Sequence, residues 1–114
     1  MPTIINLTPH PINLHRKDGT VLTFPPSGAI ARVSETRYRV GRILDADVEI
    51  VEYDKPQNLP DELPDVWYIV SGIVLAAAPK RPDLLAPGQP VRDDNGMIVG
   101  CKGWTTTRAF EDRL

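Results

Sequence analysis

The chain has 114 residues, 41% of them hydrophobic and 25% charged, with a formal net charge of -2. That composition excludes wholesale disorder, and the near-neutral balance excludes a global field that recruits nucleic acid or an anionic membrane. A single cysteine, Cys101, excludes an internal disulfide and suits a reducing compartment.

The start, MPTIINLTPHP, has neither a basic leader nor a long apolar run, so no targeting signal is read there. The apolar run Ile73-Val74-Leu75-Ala76-Ala77-Ala78 is far too short to span a bilayer. The expectation is a soluble cytoplasmic protein with one domain over residues 1–114. The 12 prolines fix φ and remove backbone donors, so long helices are hard to fit between them. Strands joined by turns are expected instead.

Thr3-Ile4-Ile5-Asn6-Leu7 predicts a first strand and Pro11-Ile12-Asn13-Leu14-His15 a second, connected by Thr8-Pro9-His10. Lys17-Asp18-Gly19-Thr20 is a hairpin turn, because Asp-Gly tolerates positive φ, and Val21-Leu22-Thr23-Phe24 is the returning strand. Pro25-Pro26-Ser27-Gly28 is a loop, and Ala29-Ile30-Ala31-Arg32-Val33 a further strand. Thr36-Arg37-Tyr38-Arg39-Val40 fits either a strand or part of a wide loop. Residues 46–53 alternate most cleanly: Val48 and Ile50 point one way, Asp47, Glu49 and Val51 the other.

Residues 54–65 form a polar, proline-rich loop and a candidate lid. Val66-Trp67-Tyr68-Ile69-Val70 reads as a central strand buried on both faces. Ser71 stands where an N-cap would, and one short helix is predicted over 71–78, ended by Pro79. Ala86-Pro87-Gly88-Gln89 reads as a turn, Val91-Arg92-Asp93 as a short strand, and Asp94-Asn95-Gly96 as a hairpin signal before Met97–Cys101 returns. The tail to Leu114 carries no clear pattern. The sum is a β-rich α+β fold: a mostly antiparallel compact sandwich or partial barrel with one short helix.

No reaction-class motif is present: there is no P-loop, no GxGxxG entering a helix and no GxSxG elbow. His10 lies between two prolines, where it serves either as a polar ligand contact or as a turn corner. Cys101 reads as a buried small hydrophobe, since strand alternation sends Lys102 to the other face. The richer constellation runs from Trp67 to Lys102. Ser71 opens a helix whose free N–H groups suit an anion. Arg81 and Arg92 offer planar donors to phosphate, and Asp83 and Asp93 can grip hydroxyls. Trp67, Tyr68 and Trp104 are rings on which a base can stack. The competing reading makes Arg81–Asp83 and Arg92–Asp93 ordinary ion pairs.

NLTPHPINL, YIVSGIVLAAAPKRPDLLAPG and VRDDNGMIVGCKGW together resemble a group of short proteins encoded by bacteriophages and prophages. The resemblance rests on Asn6, Thr8, His10, Tyr68, Ser71, Pro79, Arg81, Asp83, Arg92, Asp93, Gly96 and Gly100, and leaves out the middle, from Thr36 to Asp65. It implies a viral or mobile-element origin rather than a reaction. By analogy with small phage proteins that sequester nucleotide signals of bacterial immunity, the expected function is capture of a phosphate-bearing nucleotide without catalysis or cofactor. The expected contacts are Thr8, His10, Ser71, Arg81, Asp83, Arg92 and Asp93, in a homo-oligomer. The rival is a protein-interaction module, such as a virion accessory or a host-protein inhibitor, docking through exposed β edges. An enzyme using His10 or Cys101 is the third reading.

Overall fold

The computed structural model describes residues 2–114. Among these residues there are eight strands, one α-helix and one 3-10 helix. In chain order they are β1 (Thr3–Asn6), β2 (Ile12–His15), β3 (Val21–Phe24), β4 (Glu35–Ile43), β5 (Ala46–Tyr53), β6 (Val66–Ile69), α1 (Gly72–Ala77), β7 (Leu84–Arg92), β8 (Ile98–Thr105) and the 3-10 turn Arg108–Arg113. The fold is β-rich α+β, as its alternating segments predict. Six strands form one barrel-like sheet in the order β1-β6-β7-β8-β2-β3, and β4 and β5 form a separate two-stranded sheet. The two longest ladders, β4–β5 and β7–β8, are antiparallel; β1–β6, β6–β7 and β2–β8 pair in parallel.

The six-stranded sheet nearly closes because its two edges are stitched at Asn6. The Asn6 amide donates to the Phe24 carbonyl at the end of β3 (2.9 Å), and Ser27 N–H donates to Asn6 O (3.0 Å). The chain then passes alongside the end of β1, with Ala31 N–H on Leu7 O. Ala31 is buried, but residues 29–33 make only a single bridge, Arg32 with Gln57, rather than the strand their apolar pattern predicts. Pro25, Pro26 and Gly28, whose φ is 96°, stand just before this segment and interrupt the extended run that leads into it.

β6 lies between β1 and β7, and its Tyr68, Ile69 and Val70 end is buried on both faces. Tyr68 and Val70 pack with Leu7, Ala31, Val74, Leu75, Leu84 and Ala86 in the core. Ser71 caps α1 as its sequence predicts, its Oγ accepting from Val74 N–H at 3.3 Å. The helix buries Val74 and Leu75 and ends before Pro79.

β7 corrects the turn predicted at residues 86–89. The strand runs unbroken through Pro87, Gly88 and Pro90. On one side β6 pairs with it only at Leu84 and Leu85, so the proline-bearing remainder has a free edge. Gly88 is there for close approach: a Cβ would sit 2.7 Å from both Lys102 O and Gly103 O of β8.

The loop over 54–65 is tied down rather than free-standing. Tyr68 Oη donates to Asp61 O, and Arg81 donates to Pro60 O (2.8 Å). Arg113 donates to Leu63 O (2.7 Å) and to Val66 O (2.9 Å), with its guanidinium 4.7 Å above the Trp67 ring. Phe110 meets the same ring at 5.3 Å, so the tail becomes a latch on β6. No helix among the described residues is long and apolar enough to cross a membrane.

Candidate functional site

The seven residues singled out for ligand contact are each bonded into, or part of, their own surroundings. Thr8 is buried, with its N–H (2.9 Å) and its hydroxyl (2.7 Å) both at Asn6 Oδ1. His10 occupies a corner of the NLTPHP segment: its carbonyl receives the Asn6 amide at 2.8 Å, while its ring is exposed. Ser71 caps α1, which at six residues is too short to offer an anion site of its own. Asp83 is fully buried and takes two bonds from Arg81, at 2.9 and 2.7 Å. The hydrogen bond from the guanidinium to Asp83 raises the Arg81 pKa above its ordinary value. Arg92 donates to Gly96 O (2.8 Å), and Asp93 accepts from Asn95 and Met97 N–H, closing the β7–β8 turn. The structure brings together Thr8 with His10 through Asn6, and Arg81 with Asp83. It does not gather the seven around one cleft.

A different group of side chains does surround a cleft. The end of β2, the turn that follows it and the middle of β8 enclose an open depression of about 690 Å³ lined by Leu14, His15, Arg16, Lys17, Lys102, Gly103 and Trp104. Two segments far apart in sequence meet here because β2 runs parallel to β8, in register at Leu14 and Cys101. Asn13 reinforces the junction: its amide donates to Val99 O (3.1 Å) and its Oδ1 accepts from Thr23 Oγ1 (2.8 Å).

The turn is knit by Asp18, which accepts from Thr20 Oγ1 (2.6 Å) and Thr20 N–H (2.9 Å). The Thr20 hydroxyl, then its N–H, hold the Asp18 carboxyl below the usual range. Arg16 touches Asp18 only at 3.4 Å, and both are about half exposed, so this pair leaves the guanidinium free to engage an anion. Lys17 and Lys102 have no acidic partner among the described residues. Trp104 is half-buried, with Phe24 at 5.9 Å.

His15 lies against Gly100, where a Cβ would stand 2.6 Å from its Cδ2 and Nε2 and 2.7 Å from Asn13 O. Gly100→Ala is therefore expected to displace the His15 ring and destabilise the fold by about 1–3 kcal/mol. Denaturant unfolding together with the His15 imidazole NMR signals checks both effects.

Only part of this cluster was readable in the sequence. Trp104 is an evident stacking ring, and Asp18-Gly19 marks the turn that carries Arg16 and Lys17. Nothing local joins that turn to Lys102. Among the described residues no three His, Cys, Asp or Glu side chains group closely enough to hold a metal ion. No protein-family model, curated protein or solved structure matches the chain.

Proposed function

We propose that this is a phage-type protein that binds a small phosphate-bearing nucleotide in the host cytoplasm and sequesters it without turnover, a bacterial immune signal being the expected cargo. One observation carries the reading. In a chain of net charge -2, Arg16, Lys17, Lys102, His15 and the Trp104 ring line a single depression. Lys17 and Lys102 supply point charges for phosphate, and Arg16 supplies paired planar donors. Trp104 offers an aromatic surface to a base. The resemblance to short phage-encoded proteins supports the same reading by analogy.

Titration calorimetry with a panel of nucleoside monophosphates, diphosphates and cyclic dinucleotides tests it. Wild-type protein is expected to bind one class, and Lys102→Ala to weaken that binding about 10- to 150-fold, since a hydrogen bond to a charged group contributes roughly 1.5–3 kcal/mol. Equal binding by wild type and a Lys17→Ala/Lys102→Ala double variant would exclude the cleft as the site.

The second reading, a protein-interaction module, is favoured by one feature: the β4–β5 hairpin exposes an apolar face.

A further inference from the structure

The depression between β2 and β8 has two unlike walls. Leu14 and Cys101 pair in parallel, so the residues that follow each run out in the same direction and flank it. One wall brings Arg16 and Lys17, the other Lys102 and Trp104. Both walls offer cations, but only the second offers a ring for stacking. The His15 ring, on the first wall, is committed to packing: a Cβ on Gly100 would stand 2.6 Å from its Cδ2 and Nε2. Trp104 is backed by Phe24, with ring centroids 5.9 Å apart and planes tilted by 55°, which holds the indole in its wall. Among the described residues that line the depression there is thus a seat for one base and none for a second.

The charges narrow the ligand further. Arg16, Lys17 and Lys102 are three positive groups, and Asp18, 3.4 Å from Arg16, is one negative group. With His15 neutral, three against one is a net charge of +2. A phosphate ester with a free end carries about −1.5 to −2 at neutral pH and presents three acceptor oxygens. A phosphate closed into a diester, as in a cyclic nucleotide, keeps a single charge and has given one of those oxygens to the ring. Three donors converging from two walls suit the free end. The planar fork of Arg16 meets two oxygens, and Lys17 and Lys102 close on the group from either side as point charges. Against a diester, one of the cations has no charge left to meet.

We propose that the cleft takes a nucleotide with one base and a free terminal phosphate, of the nucleoside 5′-phosphate class, and that cyclic nucleotides are its poorer ligands. The base lies on Trp104 and the phosphate among Arg16, Lys17 and Lys102. A volume of about 690 Å³ accommodates such a molecule. This assignment rests on the cleft's being the nucleotide site proposed above, and it names the chemistry that the site selects.

Titration calorimetry of the full chain with adenosine 5′-monophosphate, cyclic adenosine monophosphate, cyclic diadenylate and inorganic phosphate tests it. Adenine serves as the base because stacking tolerates any base. The linear nucleotide is expected to bind at least tenfold tighter than either cyclic one, the share of about one charge-assisted hydrogen bond. It should bind at least fivefold tighter than inorganic phosphate, the share of one stacked base. Trp104→Leu, with an unchanged circular dichroism spectrum, should bring the linear nucleotide down to the affinity of inorganic phosphate. A cyclic nucleotide that binds as tightly as the linear one, and is lost in Lys17→Ala/Lys102→Ala, overturns the proposal while leaving the cleft as the nucleotide site. Inorganic phosphate that binds as tightly as the linear nucleotide, or a folded Trp104→Leu that binds it unchanged, also overturns the proposal, since the base then makes no use of Trp104. No binding of any of the four, or binding that the double variant retains, overturns both the proposal and the nucleotide reading of the cleft.

Discussion

Arg81→Ala is expected to destabilise the protein by about 3–5 kcal/mol, the cost of leaving one member of a buried ion pair without its partner. Asp83 is fully buried and takes both of its carboxylate hydrogen bonds from Arg81. It begins a chain of contacts that matters to the whole fold. Asp83 O accepts from Tyr68 N–H (2.9 Å), which joins β7 to β6, and Arg81 reaches across to Pro60 O in the long loop. Thermal unfolding should show a fall in Tm of roughly 12–25 °C. Replacing both charges, as in Arg81→Met/Asp83→Leu, should recover much of the loss, because no uncompensated charge then stays in the interior. If Arg81→Ala kept wild-type Tm and lost only ligand binding, the pair would belong to a site rather than to the core. The sequence admits both roles for Arg81 and Asp83; burial and the bidentate geometry favour the structural one.

The second large effect is expected at Asn6, the hub of the NLTPHP segment. This side chain is 2% exposed and makes four hydrogen bonds: to His10 O, to Phe24 O, and from both the N–H and the hydroxyl of Thr8. Asn6→Ala takes the side-chain partner from the Phe24 carbonyl and from the Thr8 N–H, while His10 O keeps the Thr8 hydroxyl at 3.1 Å. At about 1–3 kcal/mol for each group left unsatisfied, partly relieved by relaxation, the expected loss is about 2–4 kcal/mol. The bond to Phe24 O also holds the β1 and β3 edges together, so amide exchange across that seam should accelerate with the loss of stability. Asn6→Asp should be worse than Ala near neutral pH, since it points a charged acceptor at two carbonyl oxygens. Urea unfolding of the two variants side by side checks the order, and an Asp variant as stable as wild type would contradict it.

What the sequence made legible was local. The Asp18-Gly19 turn, the alternation of residues 46–53, the apolar run of β6 and the Ser71 cap with its alanines each carry their own signal, and each element formed where expected. Elements set by distant partners were not legible. Nothing in Leu14 or Cys101 announces that β2 and β8 run side by side in parallel. The Leu44-Asp45 turn lacks the Asn-Gly chemistry that marks a hairpin, so β4 stayed ambiguous in the sequence. Pro87-Gly88 reads as a turn by every local rule and becomes strand only because β8 lies close beneath it. The site suffered likewise. Arg81, Asp83, Arg92 and Asp93 stand out in the sequence as neighbouring charges, and that closeness lets them bond one another or their own turn. The proximity of Arg16, Lys17, Lys102 and Trp104 is created by the sheet, so no local pattern marks it. His10 stands at a corner held by its carbonyl, with its ring exposed.

Native mass spectrometry of the protein, before and after exposure to extract from cells with nucleotide immune signalling switched on, tests the central claim most directly. Wild-type protein is expected to gain a discrete mass that heat releases as an intact nucleotide. The Lys17→Ala/Lys102→Ala variant should emerge from the same extract without it. An unchanged wild-type mass in both samples would contradict sequestration of those signals, and a mass gain shared equally by the variant would contradict the cleft between β2 and β8 as its seat.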